Sequence, residues 1–370
     1  MAEAQIVRLE DVAFIQQGKH VDHLGMGEAG HPMYGANGVI GSWITGTYDF
    51  DVVGLGCRGS VGTVYEIPAG AWLGNNVMGV WPKDEGTLTR GFLRLALETA
   101  DFRSSGVISG QVQEQITRKS LGPLEINLPL ITVQRRIVDL VSLLDRHVSV
   151  LNAEHEQAQK QYQVLLSDIL NEEMHKYGTR PLLAGVELQN GYPFKPGELG
   201  SSGTRVLRIK QLQDESAPWD RSVIDLPARF LVRDRDLVFS WSGTLAVQRW
   251  ARGTVFLNQH LFRVDVHGAE IDSFWFEHCL RWLLPWMNER THGTTMKHIT
   301  KRKLAEAVVP NAPVEVQRDT GSLLSAAKQL VERVQDERDA VAAVRDTVLE
   351  GVLSETVTVP ASYDSLLERV

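Results

Sequence analysis

Between Ile131 and Glu173 the apolar residues fall into one stripe: Ile137, Val141, Leu144, Val148, Leu151, Ala158, Tyr162, Leu165 and Ile169, with His155 holding one place. The steps alternate four and three, the heptad rhythm of a helix packed lengthwise against another. No Pro or Gly breaks the run. Adding 183 to each number gives Thr320, Leu324, Ala327, Val331, Val334, Arg338, Val341, Arg345, Val348 and Val352, a second stripe in the same register, although Arg338 and Arg345 degrade it. At ~1.5 Å per residue, helices of roughly 40 residues run about 60 Å. The pattern predicts two copies of one unit, each a globular domain followed by a long helix.

The remaining chain divides accordingly. Residues 1–130 form the first domain, 131–177 its helix, 178–313 the second domain, 314–355 its helix and 356–370 a tail with a last helical turn at 365–369. In the first domain Val7 to Ala13 reads as a strand or short helix leading to a turn at Gln17-Gly18-Lys19. Asp51 to Gly56 reads as a buried strand, with a hairpin partner at Thr63 to Ile67. Gly91 to Thr99 reads as a helix. The second domain repeats the plan: Gly191 follows a strand as Gly18 does, and Asp236 to Thr244 stands where Asp51 to Ser60 stood. Asn258-Gln259 falls 183 after Asn75-Asn76, and Ile299-Thr300-Lys301-Arg302 falls 183 after Ile116-Thr117-Arg118-Lys119. One constant offset through loop, strand and helix points to an internal duplication whose loops diverged.

Several function classes find no support. No stretch approaches the ~18 apolar residues of a membrane span, and the first residues carry no secretory pattern. Cys57 and Cys279 lie in different halves, which suits a reducing cytoplasm and makes neither a disulfide framework nor a metal site. There is no phosphate-binding loop or zinc-helix motif. Gly54-x-Gly56-x-x-Gly59 matches a dinucleotide fingerprint in letters only; no helix-forming run follows it, so its glycines read as a turn between strands. His292 and His298 are six apart, a weak metal spacing. The net charge is −8, but residues 178–313 hold 18 Lys and Arg against 14 Asp and Glu. A chain that held nucleic acid by charge alone would be basic throughout, so either it binds none or a partner supplies phosphate contacts.

What remains is a set of loops with hydrogen-bonding tips. In the first half they carry Lys19, Tyr34, Asn37, Arg58, Ser60, Asn75, Asn76, Gln111 and Gln113, with Arg118 and Lys119 beyond. In the second they carry Lys195, Arg208, Lys210, Ser242, Thr244, Asn258, Gln259, His260, Thr294, Thr295 and Lys297, with Lys301 and Arg302 beyond. Asn and Gln pair bidentately with adenine, Arg and Lys with guanine. These residues are the candidate DNA contacts, and each taken singly also fits an ordinary surface loop. Asn75 and Asn258 serve equally well as turn or capping residues, Trp241 and Trp275 suit a core, and the cations at 301–303 suit a solvated helix start as well as a phosphate.

The order of these features resembles the specificity (S) subunits of type I restriction–modification systems. The resemblance rests on Leu9-Glu10-Asp11-Val12-Ala13 with Gly18-Lys19, Tyr34-Gly35-Ala36-Asn37-Gly38, Arg58-Gly59-Ser60-Val61-Gly62, Leu128-Pro129 to Gln134-Arg135-Arg136-Ile137, and Leu143-Leu144-Asp145. In the second half it rests on Val206-Leu207-Arg208-Ile209, Asp236-Leu237-Val238-Phe239 and Gln317 after Pro310 and Pro313. It implies an α+β fold: two target-recognition domains in pseudo-two-fold arrangement, with the two long helices packed as an antiparallel coiled coil. Ile137, Val141, Leu144, Val148, Leu151, Leu165, Ile169, Leu324, Val331, Val334, Val348 and Val352 would form the helix-pair and partner interface. It further implies a subunit without catalysis of its own, reading a split site on double-stranded DNA. Two methyltransferase subunits, which would bind S-adenosylmethionine, and a restriction–motor subunit would dock on it; this chain would bind no cofactor or metal. A coiled-coil scaffold whose globular halves bind other proteins is the competing expectation.

Overall fold

The computed structural model describes residues 5–20, 26–110, 113–291, 298–354 and 356–363. The elements run β1 (Gln5–Arg8), α1 (Leu9–Val12), β2 (Ala13–Gln17), β3 (Met26–Gly35), β4 (Gly38–Trp43), β5 (Val52–Gly56), β6 (Val64–Ile67), β7 (Trp72–Leu73), β8 (Val77–Pro82), α2 (Arg90–Glu98), β9 (Ile108–Ser109), β10 (Gln115–Ile116), α3 (Arg118–Leu121), β11 (Glu125–Leu128) and the long α4 (Ile131–Tyr177). They continue β12 (Thr179–Pro181), β13 (Val186–Asn190), β14 (Thr204–Leu207), α5 (Ile209–Gln213), β15 (Arg221–Ser222), β16 (Leu231–Val232), β17 (Leu237–Ser240), β18 (Ala246–Arg249), β19 (Val255–Leu257), β20 (Leu261–Val266), α6 (Ser273–Glu289), α7 (Lys301–Leu304), β21 (Val308–Pro310) and the long α8 (Val314–Leu353). The stretch from Val7 to Ala13 is thus the end of β1, all of α1 and the first residue of β2. The turn expected at 365–369 lies outside the described residues. Two compact units form: Met1–Leu151 with Glu337–Val370, and Asn152–Asp336.

The first unit is built on an antiparallel sheet in the order β2-β8-β5-β6. All five residues of β5 are buried because both sheet faces are covered. Val53 and Leu55 join Phe92 and Leu93 of α2 on one face. Val52 joins Ile67, Leu73 and Val77 on the other, with Tyr34, Tyr48, Tyr65 and Trp81 around them. Gly54 faces Gly79 in register. A Cβ on Gly54 would stand 2.6 Å from Ile67 Cδ1 and 2.7 Å from Tyr65 Cε2, so this glycine is a packing requirement and not part of the turn expected from the sequence. Of the three glycines in that run, only Gly59 takes a left-handed φ, 79°. The second covering sheet, β4-β3-β7, joins β3 to β7 in parallel.

The second unit repeats this plan. Its sheet β13-β20-β17-β18 corresponds to β2-β8-β5-β6, and the parallel pair β14–β19 corresponds to β3–β7. Leu237, Phe239, Phe262 and Val264 pack on Trp275, Phe276 and Leu280 of α6. The equivalence is visible bond by bond. Gln134, 0% exposed, accepts from Thr89 N (2.9 Å) and donates to Thr87 O and Pro129 O (both 2.9 Å). Gln317, also 0% exposed, accepts from Asp272 N (2.9 Å) and donates to Glu270 O (3.1 Å) and Ala312 O (2.7 Å). Each residue in the second set is the first plus 183. The offset is not constant, however. Gln17 corresponds to Asn190 and Gly74 to Asn258, which are offsets of 173 and 184. The segment after the first strand is longer in the second unit, as surface connections permit, so Asn258 stands at the place of Gly74 rather than Asn75.

The long helices pair within each unit. In the first, Ile137 and Val141 of α4 share a core with Leu349 and Val352 of α8. In the second, Tyr162, Leu166 and Leu170 of α4 share one with Leu324, flanked by Ala327 and Val331. The start of α4 packs with the end of α8 and its end with the start of α8, so the pairing is antiparallel. Leu151 is buried, but Leu144, Val148, Leu165, Ile169, Val331, Val334 and Val348 are half-buried, while Leu166, Leu170 and Leu349 beside them are fully buried. The heptad stripe assumed a single helix partner. Each helix also packs on its globular domain, which widens the apolar face. Arg345 is not a degraded seam position. Its Nε sits 2.8 Å from Asp145 Oδ1 of α4 and its Nη2 2.5 Å from Glu98 Oε1 of α2, while Arg94 reaches Glu98 at 3.0 Å and Asp145 at 3.4 Å. Arg338 instead pairs with its neighbour Asp339.

Candidate nucleic-acid interface

In the first unit, chain direction brings the loops together at one sheet end. β2 and β5 finish, and β8 begins, along the same edge, because both are antiparallel to β8. Past that edge Lys19 bridges Gly74, with Gly18 N donating to Val77 O (2.9 Å) and Lys19 N to Leu73 O (2.9 Å). A Cβ on Gly18 would lie 2.0 Å from Gly74 O, so only glycine lets these two strands' ends cross so closely. Cys57 N donates to Asn76 O (2.9 Å), Ile116 N donates to Cys57 O (3.0 Å), and Arg58 bridges Gln115. This draws Lys19, Asn75, Asn76, Arg58, Ser60 and Gln113 to one end, with the exposed Arg118 and Lys119 on the α3 that follows β10. Asn75 offers its backbone carbonyl to Gln17 Nε2 at 2.5 Å. Asn37 is exposed at the β3–β4 turn, whereas the Tyr34 ring stacks on Tyr65 at 5.7 Å and belongs to the sheet packing. Burial pushes the Cys57 thiol up, against the Gln17 hydrogen bond and the Arg58 charge, so it stays protonated and inert. Gln111 lies outside the described residues.

The second unit closes its own sheet end by the same bonds. Tyr192 bridges Asn258, Gly191 N donates to Leu261 O (3.2 Å) and Tyr192 N to Leu257 O (2.8 Å). A Cβ on Gly191 would lie 2.1 Å from Asn258 O. Ile299 N donates to Trp241 O (2.9 Å), and Ser242 bridges His298, as Arg58 bridges Gln115 in the first unit. The side chains differ throughout. Asn258 is 6% exposed and its Oδ1 accepts from His260 N at 3.3 Å, which is the turn-residue role. Trp241 is half-buried rather than core: it stacks on Phe262 and donates its Nε1 to Gln259 O at 3.2 Å. Trp275 is fully buried. Burial, helped by the Arg208 charge, holds the His260 pKa below its ordinary value, so its ring is neutral and presents both donor and acceptor. Arg208 Nε stands 3.2 Å from Asp220 Oδ2. Ser242 is buried; Thr244, Lys195 and Lys210 are exposed. Lys301 Nζ donates to Leu188 O (2.7 Å) and lies 5.0 Å from the centre of the Phe262 ring, so its charge is turned to the fold, while Arg302 is exposed. Thr294, Thr295, Lys297 and His292 lie outside the described residues.

Sequence reasoning named Gln134 and Gln317 among the residues of the resemblance but missed that each clamps three backbone groups, although they share the 183 spacing. It placed Gln17 in a turn and missed the hydrogen bond its side chain donates to Asn75 O. A further chain, Tyr162 Oη to His278 Nδ1 (2.8 Å) and His278 Nε2 to Ser325 Oγ (3.0 Å), ties α4, α6 and α8. Beside it the buried Glu277 meets Arg249 (2.9 Å), Arg281 (3.1 Å) and Lys328 (3.8 Å). Burial works to raise the Glu277 pKa, and the three cations outweigh it. Among the described residues no group of His, Cys, Asp and Glu could hold a metal ion, and no helix is long and apolar enough to cross a membrane.

Residues 1–160 match the family model of the type I restriction modification DNA specificity domain. The EcoBI type I restriction enzyme specificity subunit of Escherichia coli is 23% identical over 176 residues, which are 47% of this chain and 37% of that subunit. The match thus spans little more than a third of that relative's length. Among solved structures, the type I restriction–modification S subunit from M. genitalium superposes with a TM-score of 0.66 at 15% identity, covering 94% of this chain and 96% of that one. A chain from a study of complex assembly and conformational transition in a type I system gives 0.54 at 16% identity, covering 95% and 98%. These two likenesses establish the fold.

Proposed function

We infer that this chain, a relative of the specificity subunits of type I restriction–modification systems, reads a bipartite site on double-stranded DNA, one half with each unit, and carries no reaction of its own. The observation behind this is the duplicated sheet end. The crossing Gly18–Gly74 and Gly191–Asn258 and the bridges Arg58–Gln115 and Ser242–His298 recur on the same backbone bonds, while almost every side chain they present differs. Two such ends, identical in scaffold and different in donors and acceptors, suit the reading of two unlike half-sites. The candidate contacts are Lys19, Asn37, Arg58, Ser60, Asn75, Asn76, Gln113, Arg118 and Lys119 in the first unit, and Lys195, Arg208, Lys210, Thr244, Gln259, His260 and Arg302 in the second.

Methyl transfer and cleavage fall to partner subunits, two methyltransferases that bind S-adenosylmethionine and a restriction–motor subunit. Exposed apolar residues on the long helices support such docking. Leu143, Val150 and Val344 lie on the first unit's stretches. On the second, Val164 and Leu330 border a groove of about 520 Å³. The test is a base-resolution map of adenine methylation in the source genome, with and without this gene. Loss of one split motif of fixed spacer supports the reading; an unchanged map in a strain shown to express the chain overturns it.

A further inference from the structure

Resting on that reading, we propose that the tip of the β3–β4 hairpin, through Val39 and Ile40, selects a thymine in the DNA by its C5-methyl group. Val39 is 61% and Ile40 55% exposed, although both are β-branched apolar residues on an edge strand. The hairpin turns over Ala36-Asn37, with Gly35 paired to Gly38. Ile40 lies against Gly35, where a Cβ would come within 3.0 Å of Ile40 Cγ2, so the tip is thin.

The tip is also pinned at the DNA-facing end. Gly74 N donates to Tyr34 O (2.9 Å), Tyr65 Oη donates to Gly35 O, and Ala36 O stands 2.7 Å from where a Gly56 Cβ would be. Gly74 is the bridge partner of Lys19, and Gly56 directly precedes Cys57 and Arg58. Two exposed apolar side chains are therefore carried on a tip that is pinned next to the loops bearing Lys19 and Arg58, the cations that would take the backbone phosphates. Polar tips alone cannot use the one apolar feature of a base-pair edge. The thymine methyl in the major groove is that feature, and apolar side chains read it. Cations on phosphate with an apolar pair beyond them match DNA better than a protein surface, where such cations would need acids opposite.

The test uses the assembled complex with its methyltransferase partner and a duplex carrying the mapped site, each thymine replaced in turn by uracil, which deletes only the methyl. One buried methyl corresponds to roughly a fourfold change in affinity. Uracil at one position should weaken the wild-type complex by about that factor. V39S/I40S should bind the thymine duplex as weakly as wild type binds the uracil duplex, and should lose the thymine–uracil difference. The proposal is overturned if no position responds to uracil, or if the variant keeps the difference. It is equally overturned if the variant fails to assemble with the methyltransferase while uracil has no effect, since the pair then faces protein. A complex that selects no split site at all would instead sink the functional reading itself.

Discussion

Replacing Gln134 by Leu keeps the volume and removes three hydrogen bonds at one buried point. Thr89 N loses its acceptor, and the carbonyls of Thr87 and Pro129 lose a donor. Thr89 caps α2, its hydroxyl accepting from Phe92 N at 3.2 Å, so the loss falls on the helix start. Each net hydrogen bond contributes about 1 kcal/mol, and a buried N–H left unpaired costs about 1–3 kcal/mol more. Thr87 is exposed, so its carbonyl can turn to water and escapes the full penalty. The sum is a destabilisation of roughly 2–4 kcal/mol. Gln134→Glu should be worse at neutral pH, because a carboxylate faces two carbonyls. It should recover partly in acid, where the protonated carboxyl donates to one of them. Urea unfolding measured with hydrogen exchange at the amides of Thr89 and Phe92 reads both effects, and Gln317→Leu should do the same at Asp272 in the second unit. A Gln134→Leu protein within about 0.5 kcal/mol of wild type, with Thr89 still protected, would refute the clamp reasoning.

Gly18→Ala and Gly191→Ala place a Cβ 2.0 and 2.1 Å from a backbone carbonyl. Each should cost about 1–3 kcal/mol and abolish reading of its own half-site, which binding to half-site duplexes separates. Arg345→Met leaves Asp145 and Glu98 with Arg94 alone and should cost about 2–3 kcal/mol, seen as a lower midpoint in the unfolding of the first unit; an unchanged midpoint counts against the network. Burial holds the His278 pKa down at about 4, below its unfolded ~6.5, so the unfolded state takes the proton first. The stability present above pH ~6.5 is then lost as pH falls toward 4, by up to about 3 kcal/mol, and His278→Gln should flatten that part of the pH–stability curve.

The long helices were legible because their signal is periodic and uninterrupted: nothing but a helix accommodates α4 from Ile131 to Tyr177. The strands β5 and β6 and the helix α2 were legible for similar reasons. The offset of 183 was legible where length is constrained by packing, as at Ile116 and Ile299, and misleading after a loop that had changed length, as at Asn75 and Asn258. The candidate contacts were named as loop tips. Their convergence was not readable, because it depends on the antiparallel order β2-β8-β5, which sets three distant loops at one edge. Tyr34 and Lys301 look like contacts in sequence, but one supplies a ring to the second face of the sheet and the other a cation to Leu188 O. No local pattern separates such inward uses from outward ones.

The duplicated bonds divide the chain by the kind of constraint each position bears. At Gly18 and Gly191 two backbone carbonyl oxygens forbid any side chain, those of Gly74 and Leu73 at the first and those of Asn258 and Leu257 at the second. At Gln134 and Gln317 one amide satisfies three backbone groups and joins the helix cap to the start of the long helix, and no other side chain of that size supplies one acceptor and two donors there. Between these fixed points most tip side chains are exposed, as Arg58 and Ser60 are in the first unit and Thr244 in the second, so they can change at little cost to either unit's fold. A scaffold with rigid crossings and free tips lets the reading surface change while the anchoring does not. That division explains why the two halves share their hydrogen bonds while their loop sequences have diverged.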